Sequence, residues 1–226
     1  MLVTIDAVLT PEELLQVRDQ LAQAPWAQNQ SAGPQALLAK HNLQIPEGSE
    51  ALKGLRLTVM RALNRSPKLM SAALPNKIVP PNFNRYTVDN NRYGWHTDST
   101  LRYLPDGSCL RTDVSATLFL SDPADYEGGE LVIEDTYGEH KVKLAAGSLV
   151  LYPAGSIHQV SPVTQGERLA CYLFMQSVVK DTGCRSHLYE MDLALMALRQ
   201  QHGEAQPEVI RLTGLYNNLL RRWSEC

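Results

Sequence analysis

Between about residue 77 and residue 178 the chain breaks into short β-prone runs set apart by Gly, Pro, Asn and Asp, and this punctuation limits the fold more than any other feature. The runs lie at 78–88, 93–98, 114–120, 130–134, 141–144, 148–152, 156–163 and 168–178. Eight antiparallel strands in so short a span predict a jelly roll, that is, a double-stranded β-helix of two sheets. Thr136-Tyr137-Gly138-Glu139 predicts a hairpin turn between the fourth and fifth runs.

On either side the pattern is helical. Thr10-Pro11-Glu12-Glu13 offers a capping threonine, a proline at the first helical position and a glutamate to close a capping box, followed by Leu14, Val17 and Leu21 at helical spacing. Pro25 ends that helix, and Leu52, Leu55, Val59 and Leu63 mark a second one that stops near Pro67. Beyond Val179, Leu188, Met191, Leu195 and Leu198 form one apolar stripe, and Leu212, Leu215, Leu219 and Leu220 form another past Pro207. The expected architecture is mainly β with flanking helices. Residues 1–77 form an N-terminal helical part packed on the sheet, 78–178 the jelly roll, and 179–226 a C-terminal helical extension. The terminal stripes also suit a substrate entrance or a homo-oligomer interface.

Charge and composition exclude several classes of function. A formal net charge of -3 supplies no general field for a phosphate backbone, so no nucleic-acid partner is expected. No stretch approaches the ~18 consecutive apolar residues of a membrane span, and Asp6, Glu12 and Glu13 stand where a signal peptide would be cationic and then apolar. The expectation is a cytoplasmic protein with no membrane partner. Cys109, Cys171, Cys184 and Cys226 show no Cys-x-x-Cys spacing, which suits a reduced compartment and structural roles.

Chemistry concentrates on four residues. His96-Thr97-Asp98 closes a predicted strand, where side chains two apart project from one face and can reach one metal ion. The triplet alone carries little weight, because short His-x-acid runs arise by chance. His158 on a later strand changes that: two imidazoles and one carboxylate form a facial set that leaves adjacent coordination positions open, as non-haem Fe(II) oxygenases require. Arg168 begins the next predicted strand and, in an antiparallel pair with it, would lie deep in the same barrel. Its guanidinium suits the far carboxylate of a metal-chelating diacid.

The remaining candidates have simpler accounts. Tyr93 and Trp95 should alternate to the face opposite His96 and Asp98, as packing or as a substrate-side wall. Gly128-Gly129 predicts a turn or bulge, since no helix N-terminus follows to make it a phosphate cradle. His140, flanked by Glu139 and Lys141, belongs near the surface, while His41, His187 and His202 fall in or beside polar helical segments. Cys171, among apolar strand residues, reads as a buried and inert thiol.

His96-x-Asp98, His158 and Arg168, with Arg85-Tyr86 and Tyr93-Gly94-Trp95 before them, resemble the Fe(II)/2-oxoglutarate dioxygenases of the prolyl and lysyl hydroxylase type. The segments Glu127-Gly128-Gly129-Glu130-Leu131, Gly147 to Pro153 and His158 to Val163 are similar to bacterial PKHD-type hydroxylases, particularly their iron-uptake-associated PiuC-like branch. The resemblance covers about residues 78 to 178, and the flanking helices share it. It implies that His96, Asp98 and His158 bind Fe(2+), that Arg168 binds the C5 carboxylate of 2-oxoglutarate, and that Tyr86 helps through its hydroxyl. It also implies L-ascorbate as an accessory reductant. Asp98 separates the chain from related halogenases, which lack this carboxylate and use the position for chloride. The implied reaction is hydroxylation of a substrate C–H with release of succinate and CO₂. The family name suggests a prolyl or lysyl peptide as substrate, and the iron-uptake branch suggests a siderophore-related small molecule. The rival from another class is a non-catalytic iron sensor built on the same three ligands. A second rival is a zinc cupin-like isomerase.

Overall fold

The computed structural model describes residues 1–28, 39–104 and 107–225. Seventeen strands and five α-helices are present among them. In chain order they begin with β1 (Val3–Ile5), α1 (Pro11–Ala22), β2 (Ala27–Gln28), β3 (Lys40–His41), β4 (Leu43–Gln44), α2 (Glu50–Asn64) and α3 (Pro67–Ala73). The β-rich part holds β5 (Pro75–Ile78), β6 (Asn82–Tyr86), β7 (Arg92–His96), β8 (Leu101–Tyr103), β9 (Cys109–Arg111), β10 (Val114–Phe119), β11 (Tyr126–Gly128), β12 (Leu131–Asp135) and β13 (Gly138–Val142). It closes with β14 (Leu149–Pro153), β15 (His158–Val160), β16 (Val163–Gly166) and β17 (Arg168–Ser177), after which α4 (Thr182–His202) and α5 (Pro207–Trp223) end the chain.

The strands form the expected double sheet. The larger sheet runs β1-β14-β10-β17-β6-β4-β2, with β5 also paired to β17, and the smaller runs β13-β12-β15-β7-β3. Every pairing is antiparallel. Burial explains why β10 and β17 read as nearly continuous apolar runs, for both of their faces are covered. On one face of the larger sheet, α1 to α3 bring Val17, Leu21, Leu52, Leu55, Val59 and Leu63 against strand residues such as Phe83, Leu118, Leu151, Cys171, Leu173 and Met175. A second cluster between the two sheets contains Tyr86, Phe119, Leu131, Ile133, Tyr152 and Val160.

The helix signals hold where they rest on caps. Thr10 and Glu13 form the reciprocal capping box, at 2.9 Å from the Thr10 amide to the Glu13 carboxylate and 3.2 Å from the Glu13 amide to the Thr10 hydroxyl. The helix marked by Leu52 to Leu63 does stop just before Pro67, at Asn64, and Pro67 itself opens the short α3, capped by Ser66. The N-terminal part is also less purely helical than its sequence suggests. β1 extends the larger sheet through Val3↔Leu151 and Ile5↔Leu149, and the two-residue strands β2, β3 and β4 pair onto the sheets as well. His41 itself lies in the short strand β3.

Within the barrel, Pro80 and Pro81 split the 78–88 run into β5 and β6, because proline donates no ladder hydrogen bond. The 156–163 run divides into β15 and β16. An extra hairpin, β8 with β9, pairs Leu101↔Arg111 and Tyr103↔Cys109. The hairpin at residue 136 is tighter than expected: Asp135 pairs with Gly138, so only Thr136 and Tyr137 form the turn and Glu139 belongs to β13. Gly128 and Gly129 do mark a bulge, with φ of +69° and +66° and a register shift after Glu127.

The C-terminal helices are fastened to the barrel at Asp113, just before β10. Its carboxylate accepts from Arg111 Nε at 2.7 Å and from the Ser177 amide at 2.9 Å. Buried Arg185, in the first turn of α4, donates to the carbonyls of Val179 and Lys180, both at 2.7 Å, and to that of Asp113 at 3.4 Å. Past α5, Glu225 bonds Arg111 Nη1 at 3.1 Å and donates its amide to the Val178 carbonyl at 2.7 Å. No helix among the described residues is long and apolar enough to cross a membrane.

Candidate metal and co-substrate site

The two imidazoles meet because β7 and β15 are neighbours: His96 is directly opposite His158, and their ring centroids lie 4.2 Å apart. Asp98, two residues past the end of β7, brings its carboxylate to 3.7 Å from His158 Nε2. One ligand atom from each of the three residues lies within 4.8 Å of the others. Both rings are oriented from behind, His96 Nδ1–H donating to the Gly94 carbonyl at 2.8 Å and His158 Nδ1–H to that of Ser156 at 3.0 Å. That tautomer leaves each Nε2 lone pair free for a metal. Burial, and then the neighbouring His158, push His96 down to about 4, so its imidazole is neutral at physiological pH, as ligation requires. Ser115 Oγ donates to Asp98 Oδ2 at 2.6 Å and fixes the carboxylate.

Arg168 lies across the cavity on β17, in the opposite sheet from His158. β16 intervenes between β15 and β17 and pairs with β11, so the arginine reaches the site by facing it and not by pairing with the histidine strand. Its side chain is 1% exposed, with the guanidinium carbon 5.2 Å from the Tyr86 ring and 5.3 Å from the Phe119 ring. None of its three nitrogens has a hydrogen-bond partner among the described residues. Tyr86, its register partner on β6, is equally buried and accepts a hydrogen bond from Asn42 Nδ2 at 2.9 Å. Gly129 makes room for this arginine, since a Cβ there would stand 3.1 Å from Arg168 Cδ.

All five residues singled out from the sequence line one cavity of about 290 Å³, room for a small diacid and one group of a substrate. Tyr93 lines it too, which corrects the expected alternation. His158↔His96 is followed by Val160↔Tyr93, so two residues of β15 span three of β7, and the bulge returns Tyr93 to the face of His96. The two rings stack at 3.5 Å, whereas Trp95 points outward and is exposed. Ser115, Asn42, Lys40 and Arg102 carry site contacts that sequence reasoning misses. Only Arg102 leaves a signal, as the charged residue between Leu101 and Tyr103 in a short alternating run.

Residues 81–176 match the model of the 2OG-Fe(II) oxygenase superfamily, and residues 183–225 match the PKHD-type hydroxylase C-terminal domain. The chain is 55% identical to a PKHD-type hydroxylase of Azoarcus sp. strain BH72 and 56% identical to one of Nitrosomonas europaea, each over 100% of both chains. The chain belongs to the PKHD-type hydroxylases. As such it is a 2-oxoglutarate-dependent dioxygenase, a class that implies Fe(2+) and 2-oxoglutarate. In fold it is similar to a prolyl hydroxylase of Trichoplax adhaerens, solved with a hypoxia inducible factor peptide fragment, with a TM-score of 0.55 and 18% identity over 78% of this chain and 83% of that one.

The residues present in this PKHD-type hydroxylase fit those groups. A buried guanidinium with no acceptor is costly, and an anion with two oxygens removes the cost. Two imidazoles and a carboxylate suit a divalent ion with open positions. Replacing Ser115 with alanine frees the Asp98 carboxylate, and Mn(II) or Fe(II) affinity is expected to fall about 10–100-fold in equilibrium titration. Ser115→Thr, which keeps the hydroxyl, should restore most of it. Equal affinity in the alanine variant would show that Ser115 does not position Asp98.

Proposed function

We propose that His96, Asp98 and His158 hold Fe(II), that Arg168 grips the distal carboxylate of 2-oxoglutarate with Tyr86 beside it, and that the protein inserts one oxygen atom of O₂ into a substrate C–H. The other oxygen atom enters succinate as CO₂ is lost. The observation that carries this reading is the buried, unpartnered Arg168 in the same cavity as the His-Asp-His group. The iron and 2-oxoglutarate supply the oxidising chemistry when bound. The chain positions them: Gly94 and Ser156 carbonyls aim the imidazoles, Ser115 aims the carboxylate, and Tyr86 with Phe119 shields the guanidinium from water.

A silent iron sensor has no use for a buried anion anchor, and Arg168 favours the enzyme over it. The zinc isomerase reading likewise leaves the anchor unexplained. The resemblance to the iron-uptake branch supports a role in iron supply in the cytoplasm, acting on a siderophore-related molecule or a prolyl or lysyl peptide, with ascorbate maintaining the reduced metal. The test is succinate formation by anaerobically purified protein given Fe(II), 2-oxoglutarate and then O₂. Wild type should turn over, and His96→Ala should lose more than the ~10–100-fold that removal of an outer partner costs. Fe(II) binding without any 2-oxoglutarate binding or succinate would overturn the proposal.

A further inference from the structure

The cavity has a second cationic end that the reaction as proposed leaves unused. Side chains on β17 at Arg168, Tyr172 and Phe174 line one wall, and the strand carries Tyr172 about 13 Å from Arg168. That is farther than a five-carbon diacid held by Arg168 extends. At that end Lys40 Nζ stands 5.7 Å from the Tyr172 ring and 5.2 Å from the Tyr93 ring, with Lys40 paired directly opposite Tyr93. Arg102 stacks its guanidinium on Phe174, with Cζ 3.5 Å from the ring centroid. Leu101 and Tyr103 on either side of it are exposed, so the β8 alternation turns Arg102 inward.

Stacking occupies the face of a guanidinium and leaves its N–H edge for an acceptor. No acceptor meets Arg102 Nε, which is buried and unpartnered among the described residues. Neither Lys40 nor Arg102 forms an ion pair with any described residue; Asp98, a member of the His-Asp-His group, is the one acid whose charge raises both. The two cations instead repel one another: burial first, then Arg102, lowers Lys40 to about 8. Among the described residues, three cationic side chains face one carboxylate in this cavity, in a protein whose formal net charge is -3. A divalent metal and a doubly charged diacid cancel each other, so their joint binding leaves the imbalance at Lys40 and Arg102 in place.

We infer that the substrate is an oxyanion-bearing molecule whose carboxylate or phosphate is clamped between Lys40 and Arg102, with the C–H to be hydroxylated held between that clamp and the His96-Asp98-His158 group. This rests on the proposed function and narrows it. A lysyl ammonium entering the cavity would meet two like charges, so a lysyl side chain is excluded as the reacting group. The Arg168 end is reserved for the co-substrate, and the Lys40 and Arg102 end selects what is oxidised.

The test uses the full chain loaded with Mn(II) and 2-oxoglutarate, and reads binding instead of turnover. Three probes are titrated by ligand-observed NMR: N-acetylproline, its neutral amide, and phenyl phosphate. Wild type should bind one or both anionic probes at least tenfold more tightly than the amide, with the tighter of the two identifying carboxylate or phosphate as the group read. In the Lys40→Gln/Arg102→Gln double variant the preference should shrink below twofold, while 2-oxoglutarate affinity stays within twofold of wild type. Equal or absent binding of all three probes in wild type, or a preference that survives the double variant, overturns the inference. Failure of wild type to bind 2-oxoglutarate would instead sink the proposed function, and it is read in a separate titration.

Discussion

Arg168→Met should give a ligand-free protein that is more resistant to unfolding than wild type and no longer stabilised by 2-oxoglutarate. In wild type Arg168 is 1% exposed, and none of its guanidinium nitrogens has a hydrogen-bond partner among the described residues. Replacing such a charge by an apolar side chain of similar length removes an uncompensated desolvation cost, and a gain of about 1–4 kcal/mol is the usual scale. Binding moves the other way. Losing one partner of a buried, charge-assisted pair costs about 2–5 kcal/mol, which is about 30- to 5,000-fold in Kd. Wild type held at one hundred times its Kd should gain about 2.7 kcal/mol from the ligand, and the variant almost nothing. Denaturant titrations with and without 2-oxoglutarate read both effects. A variant that is less stable without ligand, or that keeps the ligand's stabilisation, contradicts the role given to this arginine.

The second large effect is expected at Gly128. Its φ of +69° lies in the left-handed region, and a Cβ would stand 2.0 Å from the Pro162 carbonyl oxygen, a backbone atom that cannot swing aside. Gly128→Ala must therefore break the β11–β16 bulge, with an expected loss of about 3 kcal/mol or more. Gly48, with φ of +83° and nothing within 4 Å of where an alanine methyl would stand, is the matched control. There the conformational penalty acts alone, and Gly48→Ala should cost about 1–2 kcal/mol. Comparable losses at the two sites in urea unfolding would show that the close approach to Pro162 carries no energy.

Much of this architecture is legible in residue order, and the exceptions have physical causes. The long strands declare themselves because both faces of β10 and β17 are buried, and His96, Asp98, His158, Arg168 and Tyr86 do share one cavity. The two-residue strands carrying Lys40 and Leu43 have too few residues for any period to be read, which hides one half of the cationic clamp. Tyr93 defeats simple alternation because one extra residue in β7 inverts a two-residue period, and Gly94 inside a strand is the only hint of it. Pro67 marks the stop of one helix, while the short α3 that it opens has too few turns for a period to announce it. Ser115 looks like an ordinary strand residue, since its importance comes from Asp98, seventeen positions away in the chain.

The junction at Asp113 ties the two matched segments of the chain into one mechanical unit. Asp113 anchors Arg111, Ser177 and, through its carbonyl, Arg185; two positions further on, in β10, Ser115 holds the Asp98 carboxylate. A cut after Val179 would strip away Arg185 and Glu225 together and let the start of β10 loosen. The trailing helices thus act as a keystone for the cavity, and trimming the enzyme to its barrel would blunt the placement of Asp98 beside His96 and His158.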